Sequence, residues 1–200
     1  TNPYQLTEAD RTVIGNTTPK FSGGFGLNAT YKGFDMSMFF NFMYDFDVLN
    51  ANKIMLTTWA DNKENNFLMN IASDKRWRNF DDMGNEIRYS PEVLAEFNKN
   101  ATMWNPTSIG RPICMSYAVE DGSFLRLNSA TLGYTLPSVW TKKVGLSKVR
   151  FYVSGNNLFT LTGYSGYDPE VNIATGLTPN IDYNRYPRSR TYTFGAQLTF

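Results

Sequence analysis

Five stretches of this chain place apolar side chains at every second position for longer than a soluble sheet usually requires, and this alternation limits what the chain can fold into. Phe21, Gly23, Phe25, Leu27, Ala29 and Tyr31 alternate with Ser22, Gly24, Gly26, Asn28 and Thr30, which predicts a strand over about 20–31. The Lys32-Gly33 link puts glycine where a tight turn needs positive φ, and a second strand follows over 34–44 with Phe34, Met36, Met38, Phe40, Phe42 and Tyr44 in phase. A third run spans 123–136, with Ala130, Leu132, Tyr134 and Leu136 on one face. Its upper half, Leu125 and Leu127, is out of phase, so either a bulge sits near Asn128 or that half projects beyond the apolar layer. A fourth run spans about 148–160, and a fifth, 189–200, carries Tyr192, Phe194, Ala196, Leu198 and Phe200.

The connections alternate as well. They are short at Lys32-Gly33, long over 45–122, short over 137–147 and long over 161–188, with residues 1–19 ahead of the first strand. A sandwich and a membrane barrel share period two, but only the barrel combines strands of this length with short turns on one rim and long loops on the other. Faces opposite the apolar stripes carry Ser, Thr, Asn, Gln, Arg and Gly, which suits a watery or plugged lumen better than a dry core. The expected fold class is therefore all-β: about five antiparallel strands of a larger transmembrane barrel, with 1–19, 45–122 and 161–188 as extracellular loops. Five strands would leave open edges in lipid, so the stretch needs the rest of its barrel. The chain starts Thr1-Asn2-Pro3 with no leader pattern, so any targeting signal is expected to have been removed or to lie upstream. Within the 45–122 loop one helix is expected, with Ser90 as N-cap, Pro91 first, and Val93, Leu94 and Phe97 as its apolar face.

Composition removes most chemistry. Lys+Arg 19 against Asp+Glu 18 leaves a formal charge of +1, so no nucleic-acid partner is implied. Histidine is absent and Cys114 is the lone thiol, read as partly buried; this excludes His-based acid/base work, His metal sites and disulfides within the chain. No catalytic residue, metal site or cofactor is expected. Hydrophobic residues at 42% exclude disorder, and no apolar run is long enough for a membrane helix.

Three stretches then resemble one family. They are Val119-Glu120-Asp121-Gly122-Ser123-Phe124-Leu125-Arg126-Leu127 leading to Leu132-Gly133-Tyr134-Thr135-Leu136-Pro137, Asn156-Asn157-Leu158-Phe159 with Thr162-Gly163-Tyr164-Ser165-Gly166-Tyr167-Asp168-Pro169-Glu170, and Tyr186-Pro187-Arg188 running through Thr191-Tyr192-Thr193-Phe194-Gly195 to Phe200. Together they look like the C-terminal end of the SusC/RagA family of TonB-dependent outer-membrane transporters. The resemblance implies about the last five strands of a 22-stranded barrel in the outer membrane of a Gram-negative bacterium. It implies as partners the rest of the barrel and its plug, the TonB complex through segments not in this sequence, outer-membrane lipid, a SusD-like surface lipoprotein as lid, and oligosaccharide or oligopeptide cargo. The alternative from another class is a secreted carbohydrate-binding β-sandwich, and a third is an outer-membrane enzyme.

Candidate contacts with cargo or lid are Trp59, Trp77, Trp104, Tyr164, Tyr167 and Asp168, aromatic or acidic residues in long loops. Packing of the loop is the competing reading for the tryptophans. Arg126, Arg150 and Asn156 fall on the polar, lumen-facing phase. Tyr192, Phe194, Leu198 and Phe200 are assigned to lipid contact and barrel assembly. The carboxylate pairs Asp81-Asp82, Glu120-Asp121 and Asp168-Pro169-Glu170 are read as solvated loop charge, since no calcium-loop spacing accompanies them.

Overall fold

The computed structural model describes residues 9, 11–58, 68–71, 75–106, 113–171 and 179–200. Two compact units emerge, one of Thr1–Leu49 with Val119–Phe200 and one of Asn50–Ala118.

The first unit contains a five-stranded antiparallel sheet of β1 (Phe21–Tyr31), β2 (Phe34–Tyr44), β5 (Phe124–Thr135), β6 (Lys148–Thr162) and β8 (Thr191–Thr199), in the order β1-β2-β5-β6-β8. Lys32 (φ 45) and Gly33 (φ 90) both take the positive φ that a two-residue hairpin turn requires. Register brings the apolar positions into transverse rows, such as Leu27, Met38, Ala130, Gly155 and Tyr192, or Tyr31, Phe34, Tyr134, Phe151 and Ala196. The out-of-phase half of β5 is explained by bulges. Phe39 pairs with Ser129 and Phe40 with Leu127, so Asn128 is an extra residue. Strand β6 answers with its own extra residue between Asn156 and Phe159, where Asn157 has φ 52. Leu125, Leu127, Phe159 and Leu161 thereby rejoin the apolar face.

That face is uncovered. Phe25, Leu27, Phe151 and Leu198 are roughly half exposed and Phe194 is 81% exposed, a patch that a soluble monomer does not tolerate without a covering partner. A second, three-stranded sheet of β3 (Asp47–Asn50), β4 (Val119–Asp121) and β7 (Ile181–Asp182), in the order β4-β3-β7, does not supply the cover. Its core of Phe46, Val48, Phe124, Tyr164 and Val171 packs with Met43, so it joins the large sheet through Met43 and Phe124, which belong to the polar phase. The 45–122 and 161–188 connections are thus partly regular: they contribute β3, β4 and β7, and β6 runs on to Thr162.

The second unit holds helices α1 (Ala51–Met55) and α2 (Pro91–Asn98) and buries Ile54, Ile71, Ile87 and Met103. Ser90 stands at the N-cap of α2 without a side-chain cap bond, and the expected apolar face is only partly covered: Val93 is exposed and Asn98 is the buried residue. Asn98 ranks as core because its amide donates to the carbonyls of Arg78 and Leu94 (2.9 Å each) and accepts from Arg78 N–H at 2.6 Å. Cys114 is exposed, against the expectation of partial burial.

Candidate functional site

The three motif stretches, far apart in sequence, meet at the long-connection end of the sheet. Arg126 lies on the polar phase of β5 and is 2% exposed. Its guanidinium pairs with the Asp168 carboxylate, and its Nε lies 3.7 Å from Glu170 Oε2. Asp168 Oδ1 also accepts from the backbone N–H of Glu170 at 2.9 Å, a bond within the Asp-Pro-Glu turn. Glu170 Oε1 accepts from Arg188 Nη2 at 2.6 Å. Two arginines and two carboxylates thus form a neutral, mostly buried cluster holding the loop after β6 and the segment before β8 against β5. Burial alone would raise the Asp168 carboxyl. The Arg126 guanidinium and the N–H groups of Glu170 and Arg188 outweigh burial and hold it below the usual carboxylate range.

Beside this cluster the Tyr164 hydroxyl donates to Asp182 Oδ2 at 2.7 Å, and burial followed by this carboxylate pushes the phenol above its ordinary range. Glu120 accepts from the N–H and hydroxyl of Ser165 at 3.1 and 2.9 Å. The solvated-charge reading is therefore corrected for Asp168 and Glu170, which are buried and paired. Asp81 stays at the surface and closes its turn by accepting from Met83 N, Asn85 N and Asn85 Nδ2. Spacing did not announce these roles. The available signal was Arg126 on the polar phase of a strand with no local acidic partner, opposite a proline-stiffened Asp-Pro-Glu.

At the short-connection end the polar face carries a second charged set. Arg150 Nε donates to Asp35 Oδ1 at 2.9 Å and Nη2 pairs with Oδ2, a fork spanning β2 to β6 above β5. Gly133 of β5 makes the crossing possible, since a Cβ there would lie 2.6 Å from both Asp35 oxygens. The Arg150 guanidinium also lies 5.2 Å from the Tyr152 ring centroid, and that ring covers Gly195 of β8.

Among the residues proposed for cargo or lid contact, Tyr164 and Asp168 are held inside these networks. Tyr167 is 83% exposed and Trp77 41% exposed. Trp104 donates its indole N–H to Thr57 O at 3.1 Å and meets Tyr117 edge-on at 5.1 Å, an anchor within its unit. Trp59 lies outside the described residues. Asn156 is exposed on the polar phase beside Ser129 and Thr191, and Tyr192, Phe194, Leu198 and Phe200 are all exposed. Among the described residues no group of three or more Cys, Asp and Glu gathers to hold a metal. The arrangement is a wall with one apolar and one polar face, its charges mutually paired.

No family model matches the chain. It is 35% identical, over 98% of its length and 18% of the relative's, to TonB-dependent receptor P3 of Formosa agariphila. It is 38% identical over 88 residues, 42% of the chain and 8% of the relative, to TonB-dependent receptor SusC of Bacteroides thetaiotaomicron. In structure, 98% of the chain superposes on 19% of a chain of the RagAB peptide importer in its closed-closed state, with a TM-score of 0.75 and 25% identity. The chain therefore spans under a fifth of the length of the first of these relatives and of the matched structure. All are receptors or importers by name.

Proposed function

We propose, on the premise that this chain belongs as a segment to the SusC/RagA family of TonB-dependent receptors, an outer-membrane transport family of β-barrels, that it walls part of an importer of oligosaccharides or oligopeptides. The observation that carries the reading is the uncovered apolar face, continuous through all five strands, backed by a polar face whose charges are internally paired. In a closed barrel of about 22 strands the first face meets lipid and the second a lumen occupied by a plug. The long connections then lie outside the cell of a Gram-negative bacterium. There a SusD-like lipoprotein closes the mouth, and exposed Tyr167 and Trp77 are the available contacts for lid or cargo. TonB engages segments beyond these 200 residues.

A secreted sandwich is disfavoured, because it would bury the apolar face under a second sheet, and the three-stranded sheet packs through Met43 and Phe124 instead. The test is growth of the source organism on single polysaccharides and on peptide mixtures with and without the gene, alongside fractionation of the full-length product. Heat-modifiable protein in the outer membrane and loss of growth on one such nutrient class are expected. A full-length product that fractionates as a soluble protein would overturn the reading.

A further inference from the structure

The connection from β5 to β6 has a composition unlike any other turn in this chain. Pro137–Ser147 folds as α3 (Ser138–Thr141) and one 3-10 turn (Lys142–Val144) closed by Gly145 at φ 73. Val139, Trp140 and Val144 are exposed by 60% or more. No acidic residue lies between Leu136 and Lys148, while Lys142 and Lys143 do, and Lys32 stands on the neighbouring turn, joined through Thr135 N–H to Gly33 O at 2.8 Å. No described carboxylate forms an ion pair with Lys32, Lys142 or Lys143, while Lys148 shares the polar phase of Arg150 and lies within electrostatic reach of Asp35. Val149 shares its phase with Phe151 and Leu198 of the uncovered face, yet it is 5% exposed, and α3 packs against β6. The connection therefore lies over the end of the outward face, where the apolar rows finish on Tyr31, Phe34 and Tyr134.

The connection thus sets an exposed tryptophan and ammonium groups without an ion pair at the end of an apolar face that closes on a row of aromatic rings, Lys32 lying 5.2 Å from the Tyr31 ring centroid. Acyl chains, an interfacial layer and phosphate headgroups are the matching chemistries of a bilayer. We infer that the 137–147 connection is a lipid-docking foot: Trp140, Val139 and Val144 enter the interfacial layer, and Lys32, Lys142 and Lys143 hold the phosphates of anionic phospholipid in the leaflet at the short-connection rim. The foot rests on the outer-membrane reading above. Phosphate-bearing glycolipid belongs to the long-connection side under that reading, so phospholipid is the source.

The test uses the full-length receptor, in a background free of other reactive cysteines, reconstituted in phosphatidylcholine vesicles with and without phosphatidylglycerol. Nitroxide labels are placed through Trp140→Cys and Lys143→Cys. The label at 140 should collide more with oxygen than with a water-soluble nickel chelate, and the label at 143 should do the reverse. Lys142→Gln with Lys143→Gln should lose about fivefold per lysine in preference for spin-labelled phosphatidylglycerol over phosphatidylcholine. A label at 140 reached by neither reagent would show a protein partner covering the foot, one reached by the nickel chelate alone would place it in water, and an unchanged lipid preference would remove the lysines from headgroup binding; each overturns the inference while leaving the barrel intact. Failure to form heat-modifiable barrel in any vesicle would instead defeat the outer-membrane reading, and the foot with it.

Discussion

The five-stranded wall and the Asn50–Ala118 unit draw on similar residues but are held together in opposite ways. The wall is a repeating ladder in which each strand's partner follows from register, and side chains are sorted by phase alone. Among its described residues the loop unit has almost no ladder, only isolated bridges such as Arg76 with Met103 and Phe80 with Glu86. It depends on single side chains satisfying particular backbone groups: Asn98 for Arg78 and Leu94, Trp104 for Thr57, Asp81 for its own turn. A ladder spreads its stability over many equivalent bonds, so losing one side chain damages it little unless a face is violated. A unit pinned by individual anchors loses a local structure when one anchor goes.

The largest effect is expected where the wall borrows the second strategy. Arg126→Ala leaves the largely buried Asp168 without its cation, while Glu170 keeps Arg188, and should cost about 3 kcal/mol. Hydrogen exchange on the full-length receptor should show the loss in 163–171 and 179–188, with β1 and β2 unchanged; uniform loss across the wall would erase the contrast. The same cluster sets a pH expectation. The Asp168 carboxyl is held low when folded, so its contribution is complete above the unfolded aspartate range and disappears only as pH falls through the lowered value. Exchange in this loop should be insensitive to pairing changes between pH 6 and 8, and protection lost within that window would break the assignment.

A face violation comes next. Phe194→Arg should cost roughly 2–4 kcal/mol near the bilayer midplane, while Thr193→Arg, on the polar phase of the same strand, should be better tolerated. Denaturant titration of receptor folded into vesicles measures both, and equal penalties would mean a dry core on either side. Smaller again is Gly195→Ala, whose Cβ would sit within 2.6 Å of the Tyr152 ring. Overpacking there should cost about 1–3 kcal/mol, and pairing the change with Tyr152→Ala should recover much of it. The smallest effect belongs to the loop unit. Trp104→Phe keeps the ring against Tyr117 but drops the bond to Thr57 O, a loss of about 1 kcal/mol visible as faster exchange near Thr57 with no change in the wall.

Sequence alone determined the parts governed by repetition. Period two marked β1, β2, β5, β6 and β8 to within a few residues, the Lys32-Gly33 pair marked the hairpin, and residue type separated an apolar from a polar face, because a pleated strand sends alternate side chains to opposite sides whatever its neighbours are. Only tertiary structure decided the rest. It placed the extra residues at Asn128 and near Asn157, since a bulge is defined by counting against a partner strand. It turned Asp168 and Glu170 from loop charge into partners of Arg126, and it withdrew Tyr164 from the surface into a bond with Asp182. These outcomes depend on which residues far apart in the chain are brought together and desolvated, and burial by distant neighbours leaves no periodic trace in the sequence.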